Sequence, residues 1–223
     1  GSRTLGVELA TQLSTDGLSR ITESDILFFP GAGELFLDPT PNSIADEYTD
    51  FTENTADLGG GDINVARFFS PIDGSPADNR FDVFTTALHE IGHALGLEGF
   101  FRPTISPGQV ITIGESLPNA GTQVTLDSSG NHFPESGDLI SALMSASSTP
   151  DTNDNGILDI NDNGRTLPSV IDILAIAEVS NFTKVVLDPE VVIDPEAVPE
   201  PTSILGLLAL SFLGAGSAVK KKY

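Results

Sequence analysis

The chain has no cysteine and no tryptophan. Without thiols there can be neither disulfides nor thiolate metal sites, so any bracing must come from packing or from ions held by oxygen and nitrogen. Basic residues are also scarce: ten Lys and Arg stand against 32 Asp and Glu, a net charge of −22, and three of the ten are Lys220, Lys221 and Lys222. Such a surface repels nucleic acid phosphates and suits divalent cations or basic partners, which excludes nucleic acid as a partner. Most of the acid serves solubility. The chain opens Gly1-Ser2-Arg3 with neither an initiator Met nor a hydrophobic leader, and reads as trimmed from a longer product, compatibly with a removed export signal.

What is present fits one principal domain with accessories, as expected for 223 residues. Up to about residue 70, short apolar runs ("DILFFP", "ELFLDP", "DINVARFF") are separated by Gly, Pro and Asn clusters and predict strands and turns. Over Phe81 to Leu97 the period changes. Val83, Ala87, Ile91, Ala94 and Leu95 recur at steps of three and four, with Asp82 as N-terminal cap and Gly96 as stop, which predicts a helix. The pieces "QVITIG" and "TQVTL" predict further short strands, and "SVIDILAIAEV" after Pro168 predicts a second helix over Ser169 to Val179.

Within the first helix stands HEIGH. Residues four apart share a helix face, so His89 and His93 can direct two imidazoles at one ion, with Glu90 one step round in the same cleft. Zinc held this way acidifies water, and the carboxylate is placed to take the proton during attack on a carbonyl. A third ligand is required. The short spacing used by compact metallopeptidases lands on Gly99; further along, "NHFPESGDLISALMS" carries His132 twelve residues before Met144, while Glu98, Glu135 and Asp138 are rival ligands.

With Gly96 turning the chain after "HALGL", this pattern resembles the leishmanolysin branch of the metzincin zinc peptidases, in which an insertion separates the helix from the third histidine and a methionine turn follows. The resemblance covers Phe81 to Leu97 and Asn131 to Ser147, and more loosely the second helix. It implies an α+β, zincin-like fold with a twisted mixed sheet, an active-site helix, a Met-turn and a C-terminal helix. It also implies a zinc endopeptidase in which His89, His93 and His132 bind the metal, Glu90 is general base and Met144 is the floor. Two residue types at four positions, His89, His93, His132 and Met144, account for every histidine and methionine in the chain. The chain departs from the pattern in having no disulfides, Phe133 where Trp is usual after the third histidine, and no Tyr shortly after Met144. Metzincin-like folds also lay a peptide substrate along an edge strand, for which Gly60 to Phe69 is the candidate, with an ordinary sheet strand as the alternative.

Two further segments carry chemistry. "DTNDNGILDIND" places Asp151, Asn153, Asn155 and Asp159 at alternating positions, with Gly156 at the sharp turn, the Ile157 carbonyl contributing from the backbone and Asp162 closing. That is the oxygen-ligand order of a calcium loop, over 151–164. The chain from 188 to 198 reads as an acidic, Pro-punctuated linker, and residues 199–223 begin Pro199-Glu200-Pro201, continue apolar and uncharged from Ile204 to Val219, and end in lysines. This tail resembles a PEP-CTERM sorting signal. The resemblance implies export across the inner membrane of a Gram-negative bacterium, to the cell envelope or outside, with transient anchoring by a tail helix whose lysines stay cytoplasmic and cleavage by an exosortase-like enzyme; a permanent anchor is the alternative. The expected whole is a catalytic domain over 1–187, linker and tail, acting on a protein or peptide substrate. A catalytically inactive, calcium-stabilised surface or matrix binding protein on the same fold is the second reading.

Overall fold

The computed structural model describes residues 6–13, 21–28, 35–40, 46–98, 105–146 and 164–187. The expected calcium ligands Asp151, Asn153, Asn155, Ile157, Asp159 and Asp162, the linker and the sorting tail lie outside the described residues.

The chain is mixed α+β. Strands β1 (Gly6–Leu13) and β2 (Ile21–Phe28) form an antiparallel hairpin. The next strand, β3 (Leu35–Phe36), pairs in parallel with β6 (Phe81–Asp82). Between them β4 (Tyr48–Asp57) and β5 (Asp62–Pro71) run antiparallel, joined by a turn in which Asp57 Oδ1 accepts the backbone N–H groups of Gly59 at 2.9 Å and Gly61 at 3.2 Å. Helix α1 (Val83–Leu95) follows, then the hairpin β7 (Val110–Thr112) and β8 (Gln123–Thr125), strand β9 (Arg165–Leu167) and helix α2 (Val170–Val179).

Two expectations change here. Among the described residues the strands make four small sheets in place of one mixed sheet, and parallel pairing is limited to β3–β6 and an isolated bridge between Phe133 and Ser145. The candidate substrate edge, Gly60 to Phe69, is the central strand β5: β4 pairs along one side, while β9 takes Arg67 to Phe69 on the other and α2 packs beside it. Its backbone groups at Arg67 to Phe69 are therefore used on both sides.

Both helices begin and end on local chemistry. In α1 the Asp82 carboxylate accepts from Thr85 N–H at 2.9 Å, and Gly96, at φ 132°, closes the last turn by donating to the His93 carbonyl at 2.8 Å. In α2 Ser169 and Asp172 form a reciprocal capping box. The main core lies between β5, the 105–146 segment and α2, and includes Ile63, Val65, Leu126, Phe133, Met144 and Leu174. A second cluster joins Phe36, Tyr48, Phe69 and Ala77.

The burial of α1 is the reverse of an ordinary amphipathic helix. Its apolar stripe of Val83, Ala87, Ile91 and Ala94 is half-buried and Leu95 is exposed, whereas Thr85, Thr86, His89, Glu90, Gly92 and His93 are buried. Polar side chains are turned inward only when they find partners there. At the N-terminal end these are Arg165, which bonds Asp82 at 3.1 Å and Asp38 at 2.9 Å, and Tyr48, whose hydroxyl donates to Asp82 at 3.2 Å.

Candidate metal centre

Helix α1 presents His89 and His93 on its buried face, and the loop after β8 brings His132 to them. The His93 Nε2 atom lies 3.1 Å from His89 Nε2 and 3.2 Å from His132 Nε2. These three side chains are the metal-capable group found among the described residues, their ligand atoms all within 4.8 Å of one another. The rivals do not join them: Glu135 and Asp138 are exposed, and Glu98, although buried, is outside the group.

Each imidazole has an acceptor behind it. His89 Nδ1 donates to the Leu143 carbonyl at 2.8 Å, and His93 Nδ1 to the Leu97 carbonyl at 2.6 Å. His132 Nδ1 faces the Asp127 carboxylate at 3.7 Å. A carbonyl can only accept, so both helix imidazoles carry their proton on Nδ1 and turn a bare lone pair inward at Nε2. Lone pairs crowded at this spacing repel one another unless a cation stands between them. Three nitrogens each about 2.0–2.1 Å from one tetrahedral zinc ion would stand roughly 3.3 Å apart, close to the two distances from His93 Nε2. Three neutral imidazoles are also a donor set that zinc accepts.

The electrostatics keep these rings neutral. Burial, reinforced by the neighbouring imidazoles, holds His89 well below the usual histidine value, and burial lowers His93 against the opposing Leu97 bond. His132 is pulled down to about 4 by burial and by His93, with Asp127 opposing. Burial pushes the Asp127 carboxyl upward, but the Ser129 hydroxyl, the charge of His132 when its ring is protonated, and the backbone N–H groups of His132 and Ser129 outweigh it and leave the group below its ordinary value. Neutral imidazole is the form that ligates.

Glu90, next to His89, is buried on the same helix face. Met144 is fully buried, and its carbonyl accepts the Phe133 N–H at 2.8 Å, which ties the methionine turn to the residue after His132. Its thioether lies against α1 between the two helix histidines, at Gly92. A Cβ added there would clash with Met144 Sδ and fall 3.5 Å from Ile176 Cδ1. Gly92→Ala is therefore expected to destabilise. Overpacking costs about 1–3 kcal/mol, which exceeds the roughly 1 kcal/mol that alanine gains over glycine in a helix. Thermal melting reads the balance, and an equal or higher Tm would mean that Met144 has room to withdraw.

Sequence reasoning missed two carboxylates. Asp172, fully buried, accepts from Met144 N–H at 2.9 Å and Leu143 N–H at 3.3 Å while also holding Ser169 N–H at 2.8 Å and Ser169 Oγ at 2.6 Å. Burial raises its pKa against these donors. The S-x-x-D spacing could have found it as a helix cap, but nothing local marked its second bond to the methionine turn. Asp127 had only the turn-forming sequence Asp127-Ser128-Ser129-Gly130 as its signal.

Comparison with known families adds the other end of the chain. Residues 197–222 match the PEP-CTERM protein-sorting motif. The chain ends in an export-sorting signal. That motif marks a protein sent to the cell envelope of Gram-negative bacteria and handled by an exosortase-like sorting enzyme. No curated protein and no solved structure matches the chain significantly. Among the described residues no helix is long and apolar enough to cross a membrane.

Proposed function

We propose that this chain is an exported zinc-dependent endopeptidase of metzincin type. The observation that carries the reading is the convergence of three inward-facing Nε2 atoms, from His89, His93 and His132, with Glu90 buried on the same face of the helix that carries two of them. Zinc held by these nitrogens supplies Lewis acidity, which lowers the pKa of water to about 7 and polarises a carbonyl. Glu90 takes the proton from the attacking water and returns it to the leaving amine. The three imidazoles hold the ion, and the carbonyls of Leu143 and Leu97 keep the two helix rings oriented. Met144 packs beneath as floor without coordinating. Tyr48 donates to Asp82, so it is already engaged and offers no phenol to a developing oxyanion. Stabilisation of that charge would be the part of a metal held by His89, His93 and His132.

The sorting tail supports export, with the tail held at the inner membrane, its lysines cytoplasmic, and cut near Pro199-Glu200-Pro201. The Asp/Asn repeat fits calcium outside the cell, where a cysteine-free chain has no disulfide to fix the segment between the methionine turn and β9.

The test is metal analysis of the purified full chain together with cleavage of unfolded casein. One zinc per chain, calcium retained in calcium buffer and casein cleavage abolished by a zinc chelator are expected. Zinc bound without cleavage would favour the binding protein on the same fold, and a chain that takes up no zinc would remove the peptidase reading.

A further inference from the structure

The third imidazole differs from the other two in what holds it. His89 and His93 ride on a helix and donate to backbone carbonyls, while His132 sits on a loop and has a carboxylate behind it. That loop wraps around Asp127. Oδ1 accepts the backbone N–H groups of Ser129 at 3.0 Å, Gly130 at 2.9 Å, Asn131 at 3.3 Å and His132 at 3.4 Å, and the Ser129 hydroxyl at 2.7 Å. Asp127 N–H closes the loop by donating to the His132 carbonyl at 2.8 Å. Oδ2 touches the Ser129 hydroxyl at 2.9 Å and faces the His132 ring. One oxygen shapes the loop and the other looks at the ligand.

We propose that Asp127 is the positioning residue of the third ligand, and that its negative charge, beyond the loop it shapes, sets the affinity of the site for zinc. The proposal rests on the zinc reading above. A carboxylate behind a ligating imidazole fixes the tautomer that leaves Nε2 bare and raises the basicity of that nitrogen. In Asp127→Asn the amide oxygen can keep the N–H groups that Oδ1 held, which turns the NH₂ toward His132 Nδ1. An NH₂ there favours the tautomer protonated on Nε2, the form that cannot ligate.

The test uses the full chain as wild type, Asp127→Asn, Asp127→Ala and Ser129→Ala, with zinc affinity measured against a chromophoric chelator, the visible spectrum of the cobalt-substituted protein, and melting of the metal-free form. Asp127→Asn is expected to melt near wild type, bind zinc about 10–100-fold more weakly and change the cobalt spectrum. Asp127→Ala should lose both loop stability and affinity. Ser129→Ala removes a hydroxyl that both carboxylate oxygens hold but keeps the negative charge behind His132, so it should lower the melting temperature and leave zinc affinity near wild type. Wild-type affinity and an unchanged cobalt spectrum in Asp127→Asn overturn the proposal, as does an equal loss of zinc in Ser129→Ala, which would make loop shape sufficient. Wild type that binds zinc but cleaves no casein removes the peptidase reading and leaves Asp127 standing; wild type that binds no zinc removes both.

Discussion

Glu90→Gln is expected to lower kcat/KM on unfolded casein by on the order of 10²–10⁴-fold, the contribution of a positioned general base. The amide has nearly the same size as the carboxylate but cannot take a proton at neutral pH, so packing on the buried face of α1 is preserved. Glu90 donates no ligand to the imidazole group. Zinc content and melting temperature should therefore stay at wild-type values, which separates loss of chemistry from loss of fold. Chelator competition and melting, run beside the kinetics, check this. Activity within a few-fold of wild type would remove Glu90 from its role.

Asp172→Ala is expected to destabilise by roughly 3–5 kcal/mol, because several buried donors lose their acceptor at about 1–3 kcal/mol each. The substitution strands the N–H groups of Leu143, Met144 and Ser169 and the Ser169 hydroxyl in a site without solvent access. For a domain of this size that corresponds to a fall in Tm of about 10 °C or more. The damage should reach the metal, because the Leu143 carbonyl that orients His89 belongs to the turn released. Asp172→Asn separates the two ends of the contact. Its one amide oxygen can serve Ser169 and Leu143 on the Oδ2 side, which leaves the NH₂ facing the Met144 N–H, so a smaller loss centred on the turn is expected. Calorimetry of the metal-free and zinc-loaded forms measures both effects, and a Tm change of only a degree or two in Asp172→Ala would show that the turn is held by packing alone.

Much of the local structure was legible in the sequence. Asp82 and Gly96 bound α1, as their chemistry predicted, and Ser169 begins α2. The runs "QVITIG" and "TQVTL" contain β7 and β8. The orientation of α1 was less legible. Its apolar periodicity marked a helix, but the stripe is only half-buried, because the polar face is the one with interior partners. The edge of β5 was legible only in part: alternation along a strand marks its faces and says nothing about its edges, and β9, which pairs with Arg67 to Phe69 of β5, arrives about a hundred residues later in the chain.

By itself, then, the sequence determined those features whose physics spans a few residues: the helix carrying His89, Glu90 and His93 at one-turn spacing, its caps, the absence of any thiol chemistry, and the sorting motif at 197–222. Only the tertiary structure decided that His132, 39 residues beyond His93, comes to it at 3.2 Å in preference to nearer or equally plausible carboxylates. It alone set Met144 against Gly92, Asp172 beneath the methionine turn and Asp127 behind the third ring. Spacing along a helix follows from backbone geometry, whereas a contact across a long loop depends on which buried polar groups the packed core leaves in need of a partner.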